Sequence, residues 1–289
     1  EWKFRYLESI YDVKETFYRD GFSTEQFDTI KVPGVWQMFG YGRHQYTNVR
    51  YPFPLDPPYV PHENPCGEYV CTFEYHQDKK APKAFLNFEG VDSCFYVWVN
   101  GIFVGYSQVS HATSEFDITE MLREGKNTLA VLVLKYCDGS YLEDQDKFRM
   151  SGIFRDVYIL LRPNEGIFDY FIKAIPEIEK EGRKTKKQKG RLEITFEYRE
   201  QKLPVFVKLF DARGEKIAEV QAVEKAVLDL DSVRLWNAED PYLYTLVLET
   251  KGEVITDYVG FREIHIEQGV LFLNGKKIKF LCEKGLDHK

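Results

Sequence analysis

Residues 94–106 read Cys-Phe-Tyr-Val-Trp-Val, then Asn100-Gly101, then Ile-Phe-Val-Gly-Tyr. Two runs of β-branched and aromatic residues joined by Asn-Gly specify a hairpin. A type I′ turn needs positive φ at both central residues, and these two tolerate it. The hairpin commits its surroundings to an antiparallel sheet, and the same grammar recurs along the chain. Glu1–Leu7 and Tyr69–Tyr75 alternate apolar with polar residues, as half-buried strands do. Ala84–Phe88, Thr128–Tyr136 and Val157–Leu161 are apolar runs of strand length. The last two are expected to pair and to enclose the segment between them. Val32–Gly42 is punctuated by Gly and Pro and reads as a loop pinned by Trp36. Asp117–Gly125 reads as one short helix, with Asp117 at the N-cap, Glu120 at N3 and Gly125 past its end. Together these residues predict an antiparallel β-sandwich of jelly-roll type, about 160 residues long.

Six prolines fall between Pro52 and Pro65. Each removes a backbone donor and restricts its predecessor, so neither a central strand nor a helix fits there. Extended irregular cover is expected, serving either as a docking surface for another domain or as a long surface loop. Composition shifts at Arg162-Pro-Asn-Glu-Gly166, a natural boundary. Beyond it, short strands are expected at Arg191–Tyr198, Val205–Phe210, Glu219–Ala222, Tyr242–Thr250 and Val254–Val259, with a turn at Asp211-Ala-Arg-Gly214. That repetition predicts an immunoglobulin-like sandwich, although no Cys-Trp-Cys pattern marks a true immunoglobulin domain. Trp98 and Trp236 are core candidates of the two halves. The basic run Lys180–Lys189 lacks interleaved aromatics and reads as a solvated hairpin tip. Asn274-Gly275 announces a further hairpin, and only nine residues follow Phe280.

The chain has 289 residues, enough for about two domains. Its net charge of −7 argues against a nucleic-acid or anionic-membrane partner, either of which calls for a basic face. Cysteines 66, 71, 94, 137 and 282 form no C-x-x-C pair, so reduced thiols and a cytoplasmic location are expected. No apolar run reaches membrane-spanning length, and the start shows no signal-peptide pattern and no initiator Met.

The most unusual chemistry lies at Cys137–Asp156. Asp138, Glu143, Asp144 and Asp146 fall within nine positions, with Tyr141 and Phe148 among them and Arg149 and Arg155 following. A connection of about twenty residues between strands is long, and long loops are usually functional or disordered. Carboxylates can accept bonds from hydroxyls or ligate a hard cation, while rings cover an apolar face. That combination suits a sugar; the alternative is a solvated acidic loop.

Several strings carry a resemblance. Trp36-Gln-Met-Phe-Gly-Tyr41, Tyr46–Pro52, Pro57–Pro65, Asp138–Asp146, Met150–Val157, Leu235-Trp236 with Pro241–Tyr244, and Val259-Gly-Phe-Arg262 resemble the β-galactosidases of glycoside hydrolase family 2. The resemblance runs collinearly to about Phe280. It implies a jelly-roll sugar-binding domain over 1–163, an immunoglobulin-like domain over 164–266, and at 267–289 a lead-in to a (β/α)8 catalytic barrel that is not in this sequence. Family members hydrolyse β-galactosides with retention, using two barrel glutamates at the short separation covalent attack needs. On this resemblance the chain has no catalytic residue of its own. Asp146 matches a residue that contacts the galactosyl unit and helps bind sodium, and Asp92 matches a sugar-contacting position. Magnesium is expected with the barrel of the full enzyme, and a homo-oligomer is an open possibility. After Phe280 the sequence departs from the family: the chain was cut there, or the gene is truncated, and Leu281-Cys-Glu-Lys favours an altered tail. The implied function is the non-catalytic N-terminal portion of a β-galactosidase; the alternatives are a free-standing carbohydrate-binding module and an inactive remnant.

Overall fold

The computed structural model describes residues 1–14, 16–48, 50–143, 146–178 and 188–279. The chain forms two compact units, Glu1–Arg162 and Pro163–Lys289. Both are built of antiparallel strands, and among the described residues the only α-helical segment is Ser140–Glu143.

The first unit is a sandwich. Its larger sheet runs Asp28–Ile30, Trp2–Leu7, Cys66–Tyr75, Gly125–Leu134, Cys94–Val99, Ile102–Gln108, and its smaller sheet runs Val157–Arg162, Lys83–Phe88, Ser114–Asp117. The Asn-Gly hairpin forms as expected, with φ of 51° at Asn100 and 79° at Gly101. Between the sheets lies a core of Phe4, Trp36, Tyr69, Leu86, Phe88, Phe95, Val97, Val131, Val133 and Ile153. The outer face of the larger sheet is also covered. Cys66, Val70, Cys94, Ala130, Leu132 and Leu134 point there, and Phe17 and Phe27 from the irregular segment preceding Asp28 pack onto them. A strand apolar on both faces reads as a continuous hydrophobic run, which is why Leu129–Leu134 shows no alternation. Glu68, on this same outer face, is fully buried; Arg5 Nε donates to its carboxylate at 2.7 Å, and the guanidinium lies 4.7 Å from the Phe27 ring centroid.

Several expectations are corrected. Gly125–Leu134 does not pair with Val157–Arg162: the first pairs with Cys66–Tyr75 and Cys94–Val99, the second with Lys83–Phe88 in the opposite sheet. The acidic segment therefore crosses from one sheet to the other. The helix expected at Asp117–Gly125 is a single 3-10 turn, Thr119–Met121. Asp117 ends a strand, and its Oδ1 accepts from Thr119 N at 3.0 Å and Thr119 Oγ1 at 2.6 Å. Asn127 ties up the backbone of Arg123 from both sides, donating to its carbonyl at 2.7 Å and accepting from its N–H at 2.9 Å. Short polar side chains that bond the backbone locally compete with helix formation. The fully buried tryptophan of this unit is Trp36; Trp98 is half-buried on the outer face, against Phe17 and Tyr18.

The second unit packs a three-stranded sheet, Ile167–Glu177, Gln188–Tyr198, Lys225–Val233, with a four-stranded sheet, Lys216–Ala222, Val205–Phe210, Tyr244–Glu249, Val254–Val259. Leu192, Ile194, Val205, Val207, Leu209, Leu246, Leu248 and Phe261 form its core. The large buried ring is Phe261, whereas Trp236 is half-buried with Arg262 stacked 4.8 Å from its ring. Three strands, Ile264–Glu267, Val270–Leu273 and Lys276–Lys277, close the described chain, and the second Asn-Gly turn has φ of 50° and 71°. Ile167–Glu177 and Lys225–Val233 were not expected from the sequence. Most of the basic run Lys180–Lys189, and the tail from Phe280, lie outside the described residues.

Candidate functional site

The crossing segment is held by its own polar groups. Asp138 Oδ1 accepts from Gly139 N at 2.8 Å, and Ser140 Oγ accepts from Cys137 N at 3.1 Å. The Cys137 thiol is held down to about 6, chiefly by a hydrogen bond with Cys94 and despite burial. Glu143 uses both oxygens on one residue, taking Ser110 N at 3.0 Å and Ser110 Oγ at 2.8 Å. Asp138 and Glu143 are thus structural, and Asp144 lies outside the described residues.

The proline-rich segment packs onto the same crossing. Phe53, Tyr136 and Tyr141 form a buried aromatic cluster with Tyr51 and Val60 against it. Tyr141 donates its hydroxyl to Tyr59 O at 2.6 Å, and its oxygen accepts from Asp56 N at 3.1 Å. Asn64 brackets Tyr136, donating to its carbonyl at 2.7 Å and accepting from its N–H at 3.0 Å. Among the described residues between Thr47 and Cys66 no strand or helix occurs, as the prolines dictate.

Beyond Gln145 the chain turns back along residues 45–48. Lys147–Phe148 pairs with Tyr46–Thr47 as a two-residue ladder. Asp146 has φ of 26°, a left-handed conformation that Asp tolerates better than most residues. Its N–H donates to Asn48 O at 3.3 Å, and its Oδ1 accepts from the Tyr46 hydroxyl at 2.5 Å. Phe148, 63% exposed, sets its ring 5.4 Å from that of Tyr46, so an aromatic pair stands in solvent beside the carboxylate.

Asp92 reaches the same rim from below. Val91–Asp92 pairs with Gly152–Ile153. Lys147, the residue after Asp146, places Nζ 3.0 Å from Asp92 Oδ2; the two side chains are 26% and 16% exposed. Burial pushes the Asp92 carboxyl above its ordinary value, and the Lys147 ammonium offsets this only in part. Arg149 is buried and donates to Thr47 Oγ1 through Nε at 3.0 Å; desolvation lowers its pKa. Asp92, Lys135, Tyr136, Arg149, Met150 and Ser151 line a cleft of about 10 Å³, roughly one water's space and far short of a sugar ring.

The structure therefore brings Asp92 and Asp146 to one rim, bridged through Lys147. Sequence reasoning gave no role to Lys147, Tyr46 or Thr47. A two-residue ladder between positions 100 apart leaves no periodic signal; the one available hint was that Lys147 and Arg149 follow the acids directly. Among the described residues no group of three or more His, Cys, Asp or Glu is placed to hold a metal, and no helix is long and apolar enough to cross a membrane.

The chain is thus two all-β sandwiches, the first carrying an acidic rim edged by exposed rings. The sugar-binding domain of glycosyl hydrolases family 2 matches residues 1–163, and a second glycosyl hydrolases family 2 region matches 175–262. The chain belongs to glycosyl hydrolase family 2. It is 45% identical over 280 residues to a beta-galactosidase of Actinobacillus pleuropneumoniae, covering 97% of this chain and 26% of the relative. It is 42% identical to a beta-galactosidase of Staphylococcus xylosus, covering 96% and 27%. The chain thus spans about a quarter of the length of these relatives and matches their N-terminal portion. In fold it is similar to a beta-glucuronidase of an uncultured Clostridium sp., with a TM-score of 0.74 at 20% identity over 96% of this chain and 46% of that one. A beta-glucuronidase of Ruminococcus gnavus superposes with a TM-score of 0.72 at 19% identity, over 96% and 47%.

Proposed function

We propose that this chain is the sugar-facing N-terminal portion of a β-galactosidase that hydrolyses terminal β-D-galactosides. The jelly-roll domain, 1–163 on this reading, lends Asp146 and Asp92 to a substrate site. The immunoglobulin-like domain, 164–266, and the lead-in hairpin, 267–289, connect it to a catalytic barrel. The acid/base and nucleophile glutamates belong to that barrel, so this chain alone is inactive. The observation that carries the reading is Asp146: a carboxylate beside two solvent-facing rings, on a domain matched to a sugar-binding family.

Asp146 accepts hydrogen bonds from galactosyl hydroxyls. Its carboxylate and the Asn48 carbonyl, on two adjoining segments, are hard oxygen ligands, and they fit a monovalent cation such as sodium. Bound there, the cation would supply fixed positive charge for a sugar hydroxyl. Magnesium has no fitting donor set among the described residues and belongs with the barrel. Free thiols at Cys66, Cys71, Cys94 and Cys137 support a cytoplasmic location. The partners this reading requires are a β-galactoside and the barrel; a homo-oligomer is compatible with it.

The test is paired. In the full-length enzyme, Asp146→Ala should cost about ten- to a hundredfold in kcat/KM, the loss of one charge-assisted hydrogen bond. Galactose titrated into this chain should bind no tighter than about millimolar, because a cleft of one water's size supplies few contacts. Micromolar binding would favour a free-standing carbohydrate-binding module, and a full-length enzyme indifferent to Asp146→Ala would sink the assignment.

A further inference from the structure

We infer that the Asp92–Lys147 ion pair is a clamp that sets the position of Asp146, and that Asp92 serves the site through Lys147. The inference deepens the sugar-site reading and rests on it for the purpose of the clamp, though not for its existence.

Three consecutive side chains from Asp146 onward each find a partner, two of them on Tyr46. Asp146 takes the Tyr46 hydroxyl at 2.5 Å, Lys147 reaches Asp92 at 3.0 Å, and Phe148 lies against the Tyr46 ring at 5.4 Å. Only one of these anchors lies outside the 45–48 partner segment. Tyr46 and Phe148 are both exposed, so the ring contact and the hydroxyl bond move with the rim. Asp92 does not: it ends a strand paired with Gly152–Ile153, and Val91 and Ile153 are in the main core. Lys147 therefore ties the Asp146 turn directly to the rigid sandwich.

The pair is strong enough for this because it is desolvated. With side chains 16% and 26% exposed, the attraction is screened less than a surface pair's, and removing one partner leaves the other charge partly buried with its nearest opposite charge gone. Of the charges around Asp92, the Lys147 ammonium favours its carboxylate most. Glu143 opposes the Asp92 charge, His111 favours it less than Lys147 does, and Lys135 and Arg149 line the same cleft. With Oδ2 engaged by Lys147, a positioning role suits Asp92 better than direct contact with a sugar.

Amide hydrogen exchange on this 289-residue chain, without any sugar, tests the clamp. The reporters are the N–H groups of Asp146 and Arg149, which donate to Asn48 O at 3.3 Å and Gln45 O at 2.7 Å. The Val131 amide, in the core strand, reports global opening. Lys147→Met and Asp92→Asn should each speed exchange at Asp146 and Arg149 about tenfold relative to Val131, as a local opening does. The double variant should be no looser than either single one, because one interaction is lost in all three. Unchanged exchange in Lys147→Met, or single effects that multiply to about a hundredfold in the double variant, overturns the clamp. Since no sugar is present, these outcomes are independent of the galactose titration and of full-length Asp146→Ala, which judge the sugar reading by itself.

Discussion

The two units follow the same architecture by different sequence rules. In the second, residues 225–231 have burial alternating residue by residue, as do Gln188–Tyr198 and Tyr244–Glu249: one face in the core, the other toward water. In the first, Gly125–Leu134 is buried at nearly every position from Leu129 on, because irregular chain covers the outer face of its sheet. That cover brings a buried ion pair at Arg5 and Glu68, and a second, partly buried one at Asp92 and Lys147. Irregular chain cannot satisfy itself with ladder hydrogen bonds, so it is fixed by side chains, and side chains so fixed are what a binding rim requires. The candidate site stands on the unit with the irregular cover, and the plainer sandwich carries none of it.

The sharpest way to break that comparison is to remove one half of the buried pair. Arg5→Met leaves Glu68 fully buried without its cation and should cost about 3–5 kcal/mol, read as a drop in the unfolding transition of the first unit by calorimetry. A cost under about 1 kcal/mol would put the pair in the class of surface salt bridges and undo the distinction between the units. The opposite expectation holds at the exposed face of the second unit. Phe171 is 65% exposed on Ile167–Glu177, and Phe171→Ala should change stability by no more than about 0.5 kcal/mol.

The same contrast explains what could be read from the sequence. The Asn-Gly turns, the run Leu129–Leu134 and the proline-rich cover were legible because each is a local signal with one physical meaning. Ile167–Glu177 was not: Asp169 and Pro176 interrupt it, and both are tolerated because it is an edge strand with one face in water. Lys225–Val233 was hidden by Lys225, Asp229 and Asp231, which occupy its exposed positions. At the site, Asp146 and Asp92 came from resemblance. The Lys147 link was out of reach, since it joins residues 55 apart through a fold that no local pattern specifies. Acid-rich composition suggested a site across all of residues 138–146, yet the structure assigns Asp138 and Glu143 to backbone and serine hydroxyl capping.

The smallest effect separates the units by the sign of their response to acid. Burial raises the Glu68 carboxyl above its ordinary 4.5, with Arg5 opposing. A carboxyl whose folded pKa is raised binds its proton more tightly in the folded state. Its contribution to stability is present below the unfolded value and is lost as pH rises through the folded pKa. Asp211 in the second unit does the reverse: backbone N–H donation from Glu215, then from Arg213, lowers it below 3.8. Its contribution is present above that value and is lost as pH falls through the folded pKa. Lowering the pH from 7 toward 5 should therefore shift stability in favour of the parent relative to Glu68→Gln, which itself leaves Arg5 without its anion, with Asp211→Asn tracking the parent throughout. Below about pH 4 the Asp211→Asn curve alone should flatten, as this carboxylate's ordinary titration range is entered. Unfolding transitions of the two variants and the parent across that range decide it, and a Glu68→Gln profile parallel to the parent's between pH 7 and 5 would remove the claim that the buried acid titrates abnormally.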